Sequence, residues 1–194
     1  VQDAGVDAYN VAIGYNAGNA VTTGVQNIVV GGQAGDALTT GSGNVAIGFD
    51  ALGAEDAHGR NVAIGHLTLQ SQNAGADAYN TAVGYSAGIA MTTGTMNTVV
   101  GGRAGDALTT GTYNTAFGID ALSAEDAGSG NTAIGALSLA QQDAGANAYN
   151  TAVGHKAGYA VSTGVENTIM GGLAGDALTT GNYNIAIGHT ALST

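Results

Sequence analysis

The stretch Gly31–Gly41, GGQAGDALTTG, carries the glycines, paired threonines and acid of a loop that grips a phosphate or a metal ion. A P-loop needs a lysine ahead of its Ser/Thr, at fixed spacing from the glycines, and this stretch has none. Near copies stand at 101–111 and 171–181, and the one variable position inside them holds Gln33, Arg103 or Leu173. A site for a charged ligand does not accept those three residues interchangeably. Phosphate binding is therefore set aside.

Acids offer a second chemistry. Asp36, Asp106 and Asp176 recur at one fixed interval, and Glu55–Asp56 is echoed by Glu125–Asp126 at the same interval. Calcium wants several oxygens converging on one point. The recurring aspartates lie four turns apart, about 19 Å at strand spacing, and cannot share an ion. A site would need Asp50 with Glu55 or Asp56 folding back, plus carbonyls of the bends. The sequence reading takes all of these acids as solvated bend residues, with no metal ligand assigned.

His58, His66, His155 and His189 have no mutual spacing typical of metal ligands, and His155 stands where Tyr15 and Tyr85 stand in the other copies. There is no cysteine, and no Ser–His–Asp set survives comparison of the repeats. No catalytic residue and no cofactor is expected, so the chain reads as a non-enzyme. Tyrosines are the candidate partner contacts: Tyr9, Tyr79 and Tyr149 precede an asparagine in one turn of each four, and Tyr113 and Tyr183 do so in another. Exposed tyrosine suits carbohydrate or protein surfaces; the alternative is that these rings cover bends.

The elements that position these residues follow from an internal period. The pattern Asn, any residue, small, bulky, Gly begins at Asn10, Asn27, Asn44, Asn61, Asn80, Asn97, Asn114, Asn131, Asn150, Asn167 and Asn184. Successive spacings run 17, 17, 17, 19 and then recur. The whole pattern thus returns from Asn10 at Asn80 and again at Asn150, a seventy-residue super-repeat of four turns present in about 2.8 copies. Residues 1–194 read as a single repeat domain. Glycine at this density costs about 1 kcal/mol each inside a helix. The runs NVAIG, NTAVG and NTAFG read instead as short strands closed by glycine. Seventeen residues suffice for one turn of a parallel β-solenoid with two short strands and two bends.

The second residue after asparagine is nearly always Ala, and the third is always bulky, from Ile13 to Ile187. These positions point to opposite sides of a strand. Both sides are therefore apolar, yet a thin solenoid buries only one. The other needs a cover, most simply the same strand of neighbouring chains, and a homo-oligomer is expected. The asparagines are expected to stack and bond along the coil as a structural ladder. Thr81, Thr98, Thr115, Thr132, Thr151 and Thr168 form one column; Val or Ile replaces Thr elsewhere in it, which reads as burial in preference to ice binding.

Composition closes off other classes. Three basic residues face 14 acids, for a net charge of −11, which disfavours nucleic acid and anionic membrane surfaces. No apolar run approaches the ~20 residues that span a bilayer as a helix. The chain starts at Val1 without Met, and Val1–Asp3 matches Gln141–Asp143 in phase. Neither end carries a polar cap, so a longer array or end-to-end stacking of copies is expected.

The NVAIG, NTAVG and NTAIG units, in register along a Gly/Ala-rich acidic chain, resemble the head repeats of trimeric autotransporter adhesins of the YadA type. Similar repeats occur in bacteriophage tail fibres. The resemblance implies a left-handed parallel β-roll of about eleven turns, three chains side by side, displayed on a cell or virion surface. It further implies attachment to a host surface protein or carbohydrate. The spacing here, 17 or 19, is longer than the family's usual repeat of 14–15, and these 194 residues themselves hold no heptad stalk, neck or membrane anchor. A self-assembling extracellular filament, or an ice- or ion-binding monomeric solenoid, are the alternatives. The single-unit match to the hexapeptide repeat of acyltransferases falls short of the three per turn that fold requires.

Overall fold

The structure, a computed structural model, describes residues 7–193; the expected phase match of Val1–Asp3 lies outside them. Eleven three-residue strands form one sheet, β1 (Val11–Ile13), β2 (Ile28–Val30), β3 (Val45–Ile47), β4 (Val62–Ile64), β5 (Thr81–Val83) and β6 (Thr98–Val100), followed by β7 (Thr115–Phe117), β8 (Thr132–Ile134), β9 (Thr151–Val153), β10 (Thr168–Met170) and β11 (Ile185–Ile187). Strand order is chain order, and every pairing is parallel with like repeat positions in register, Val11 on Ile28, Thr98 on Thr115 and Thr168 on Ile185. The protein is an all-β parallel β-solenoid. Each rung carries one strand and returns through turns, where the sequence reading expected two strands.

The turns explain the difference. In every rung a non-glycine or glycine residue takes a left-handed conformation just before the asparagine, as at Tyr9, Met96 and Glu166, and again six residues after it, as at Gln33, Arg103 and Leu173. L-residues adopt that region only where the surroundings dictate it, and here the rung-to-rung bonds do so. The variable position of the glycine-rich stretch is thus a fixed backbone corner whose side chain is free to change. The glycine closing each strand has φ near +137°, and a Cβ on Gly101 would lie 2.4 Å from the Gly118 carbonyl oxygen of the next rung. Only glycine serves there.

Asparagine links the rungs. Each side-chain oxygen accepts the backbone N–H of the asparagine above it, from Asn10 with Asn27 at 2.7 Å through Asn167 with Asn184 at 2.9 Å. Most side-chain nitrogens donate to a carbonyl fourteen residues on, as Asn97 does to Gly111 at 2.9 Å. Before the longer turns Asn61 and Asn131 lack that second bond. There Gln72 and Gln142, both buried, accept instead from Asn80 (2.9 Å) and Asn150 (2.6 Å) of the rung above.

The interior is thin. Ala46, Ala63, Val99, Ala116 and Ile169 point inward from the strands and meet a column of small residues, Ala34, Ala51, Ala87 and Ala104, seven positions after each asparagine. The column eleven positions after asparagine reads Val21, Leu38, Glu55, Gln72, Met91, Leu108, Glu125, Gln142, Val161, Leu178. Where it holds an apolar residue, the eighth position is glycine; where it holds Glu or Gln, the eighth is Leu52, Leu69, Leu122 or Leu139, all fully buried.

Candidate functional site

The outward face of the sheet is the candidate functional surface. Residues one and three positions after each asparagine share this face because side chains alternate. The third-position column, Ile13, Val30, Ile47, Ile64, Val83, Val100, Phe117, Ile134, Val153, Met170 and Ile187, is half-buried or exposed along its whole length. Beside it run Val11, Ile28, Val45, Val62 and Ile185 with the six threonines; Thr98 and Thr168 are exposed and the other four half-buried. Within a single chain the Val/Thr column is thus only partly buried, so the burial expected for it is not supplied by the chain's own described residues. These side chains face outward, and nothing among the described residues covers them.

The corner residues flank this strip. Tyr9, Tyr79, Tyr113, Tyr149 and Tyr183 are all exposed, from 49% to 72%, and the Tyr149 ring also lies over a bend of the rung below, where a Cβ on Gly130 would meet it at 2.5 Å. Their left-handed backbone turns the ring out at the margin of the sheet face. Along the other margin, five positions after asparagine, Phe49, His66 and Tyr85 stack on successive rungs with ring centroids 5.5 Å apart. Sequence comparison missed this stack because its members differ in type, although they share one repeat position. His155 and His189 occupy the same column and are exposed.

Charges lie mostly elsewhere. Arg103 pairs with Asp120 on the next rung at 2.7 Å, Arg60 pairs with Asp77 at 2.7 Å beside Tyr79, and Lys156 lies over the Tyr159 ring. Asp36 and Asp106 do not meet each other or a metal-ligand set; burial raises the carboxyl pKa of each. Asp50 does not fold back onto Glu55 and instead accepts from the Gln70 side chain. Asp56 and Asp126 are exposed as expected, but Glu55 and Glu125 are wholly buried, against the expectation of solvated acids. Burial raises their pKa, outweighing the nearby backbone N–H groups that favour the charged form. Two groups of potential ligand atoms lie within 4.8 Å of one another, Glu55–Asp56–His58 and Glu125–Asp126–Asp143.

Compared with protein-family models, with curated proteins and with solved structures, the chain matches none. Among the described residues no helix is long and apolar enough to cross a membrane. The class defined by fold and surface is a β-solenoid repeat protein with one uncovered apolar sheet face.

Proposed function

We propose that the chain is the non-enzymatic shaft or adhesive repeat of an extracellular or virion surface fibre, in which three copies associate side by side through the outward sheet face. The observation that carries this reading is the size and composition of that face. Eleven rungs at about 4.8 Å, each three strand residues wide at about 3.4 Å per residue, give a continuous strip on the order of 50 by 10 Å on each chain. An exposed strip of that size, apolar along its whole third-position column, stands at the upper end of the roughly 300–600 Å² reached by the largest patch of an ordinary monomer and marks an interaction surface.

A second copy is the occupant that fits. The face itself carries no formal charge; the corner column before it holds only Arg60 and Glu166, and the corner column after it holds both signs, Asp50 and Asp120 with Arg103 and Lys156. The rungs of a copy in register repeat at the same spacing, so the columns of one chain match those of the next without adjustment. Such packing buries the threonine column and leaves the tyrosine corners at the rim, where a host carbohydrate or protein would be met.

Solution mass tests the reading. Wild-type chain is expected at three times the monomer mass in sedimentation equilibrium, and Ile64→Asp with Val100→Asp is expected to give a folded monomer. A wild-type monomer at high concentration overturns the proposal. The outward threonines favour one second reading, an ice-binding monomer, and a monomer that also shows thermal hysteresis would put that reading in its place.

A further inference from the structure

We propose that Glu125, Asp126 and Asp143 form a binding site for a calcium ion. Glu125 and Asp126 are neighbours on the seventh rung. Asp143 occupies on the eighth rung the place that Asp126 occupies on the seventh, twelve positions after the asparagine. One carboxylate oxygen from each lies within 4.8 Å of the other two. Like charges stacked across adjacent strands repel, so this grouping is costly without a counter-charge.

No side chain supplies one. The three cationic residues, Arg60, Arg103 and Lys156, lie against Asp77, Asp120 and Tyr159. Glu125 itself gives the independent evidence. It is fully buried, one oxygen accepts the Gly128 N–H at 2.7 Å, and the other, equally buried, has no hydrogen-bond partner. The Ala144 backbone N–H favours the charged carboxylate but stops short of satisfying that second oxygen. A buried carboxylate oxygen with nothing to accept is a group awaiting a ligand. The neighbouring glutamine does not satisfy it, since the Gln142 amide donates to the Ser162 carbonyl at 3.2 Å.

The donor set selects the ion. Three carboxylates and no nitrogen or sulfur suit a hard cation. Calcium takes six to eight oxygens in flexible geometry, so three carboxylates bound singly or in pairs, completed by water on the exposed aspartate side, satisfy it. Magnesium holds its own water tightly and demands near-octahedral geometry, which a buried glutamate oxygen serves poorly.

The chain contains its own comparison. One super-repeat earlier the same place holds Glu55 and Asp56, but Asn73 stands where Asp143 does, and His58 stands where Gly128 does. There the His58 Nδ1 lies 3.8 Å from Glu55 Oε1, beyond hydrogen-bond reach. Glu55 Oε2 is unpartnered as Glu125 Oε2 is, so the two copies differ in the third carboxylate and not in the buried oxygen. With one carboxylate fewer, this copy is expected to hold calcium much more weakly.

Titration calorimetry of the full chain, stripped with chelator and titrated with calcium chloride, tests the assignment. One saturable site is expected, with a calcium-dependent rise in thermal midpoint. Asp143→Asn reproduces the residue found at Asn73, so the fold tolerates it; affinity is expected to fall at least about tenfold. Asp56→Asn is expected to leave affinity unchanged. The proposal is overturned by the absence of both saturable heat and midpoint shift up to about 5 mM calcium, several times the ~1 mM weak end of extracellular calcium modules. It is equally overturned if Asp143→Asn binds as wild type does, or if magnesium competes at equal concentration.

Discussion

The rungs of Leu38 and Leu108 and those of Glu55 and Glu125 occupy equivalent places in successive layers yet fill them by opposite means. In the first kind, Val29 or Val99 projects from the strand, glycine stands at the eighth position, and a leucine from the eleventh fills the space. A Cβ on Gly105 would lie 2.8 Å from Leu108 Cδ1 and 3.0 Å from Val99 Cγ1. In the second kind the strand residue is Ala46 or Ala116, and Leu52 or Leu122 enters from the eighth position in a left-handed backbone. The eleventh position is then relieved of packing and carries a carboxylate. Interior volume is conserved while its source moves along the rung, and that exchange is what lets a buried acid enter a thin core.

Breaking the exchange is expected to cost most. Leu108→Glu leaves a cavity and an unpaired buried carboxylate, with an expected loss above about 4 kcal/mol in urea unfolding. Adding Val99→Ala and Gly105→Leu rebuilds the arrangement of Ala116, Leu122 and Glu125. The triple variant is expected to recover at least about 1 kcal/mol. If it is no more stable than the single variant, volume exchange does not explain the glutamate.

A smaller effect separates the asparagines of the two kinds of junction. Asn114 makes two side-chain bonds to the rung above, to Asn131 and to Gly128, both at 2.9 Å. Asn131 accepts one, from Asn150 at 3.1 Å, and its amide nitrogen is unpartnered. Asn114→Ala is therefore expected to destabilise by about 1 kcal/mol more than Asn131→Ala, as read from urea midpoints.

The smallest expected effect concerns Asp106, which lies in a leucine-type rung. Burial raises its pKa above the usual 3.8, aided by Asp120, while its own backbone N–H and Arg103 act the other way. The folded chain therefore holds this proton more tightly than the unfolded chain does. Its unfavourable contribution is absent below the unfolded value, grows as pH rises from there, and is complete above the raised folded value. Asp106→Asn is expected to flatten that part of the stability profile, measured with chelator present between pH 3.5 and 7. An unchanged slope would show that burial of this carboxyl has no linkage to folding.

The period of the asparagines made eleven strands legible, because one residue type had to recur wherever a rung bonds to the next. Alanine beside a bulky residue likewise revealed two apolar sides of the sheet. The corners were hidden: left-handed backbone at Tyr113, Arg103 or Leu173 leaves no compositional mark when neighbouring rungs impose it. From sequence alone Glu125 reads as a bend acid, because acids ordinarily are solvated. Its burial follows from aligning the eleventh positions, where Glu and Gln interrupt Val, Leu and Met while leucine replaces glycine three residues earlier. The Asp143 partnership needs two rungs of different length to be stacked, which a linear comparison of one super-repeat with the next conceals.

The one-strand rung also has a mechanical consequence. Strand bonds and asparagine bonds join each layer only to those above and below, so tension along the axis loads the layers in series. A layer that gives way releases its seventeen residues as extended chain while its neighbours stay wound. At about 3.4 Å per residue, less the height of the layer, each release lengthens the coil by on the order of 50 Å. Such a rod lengthens layer by layer in nearly equal steps, slightly longer at the nineteen-residue turns, and can rewind from any layer still standing.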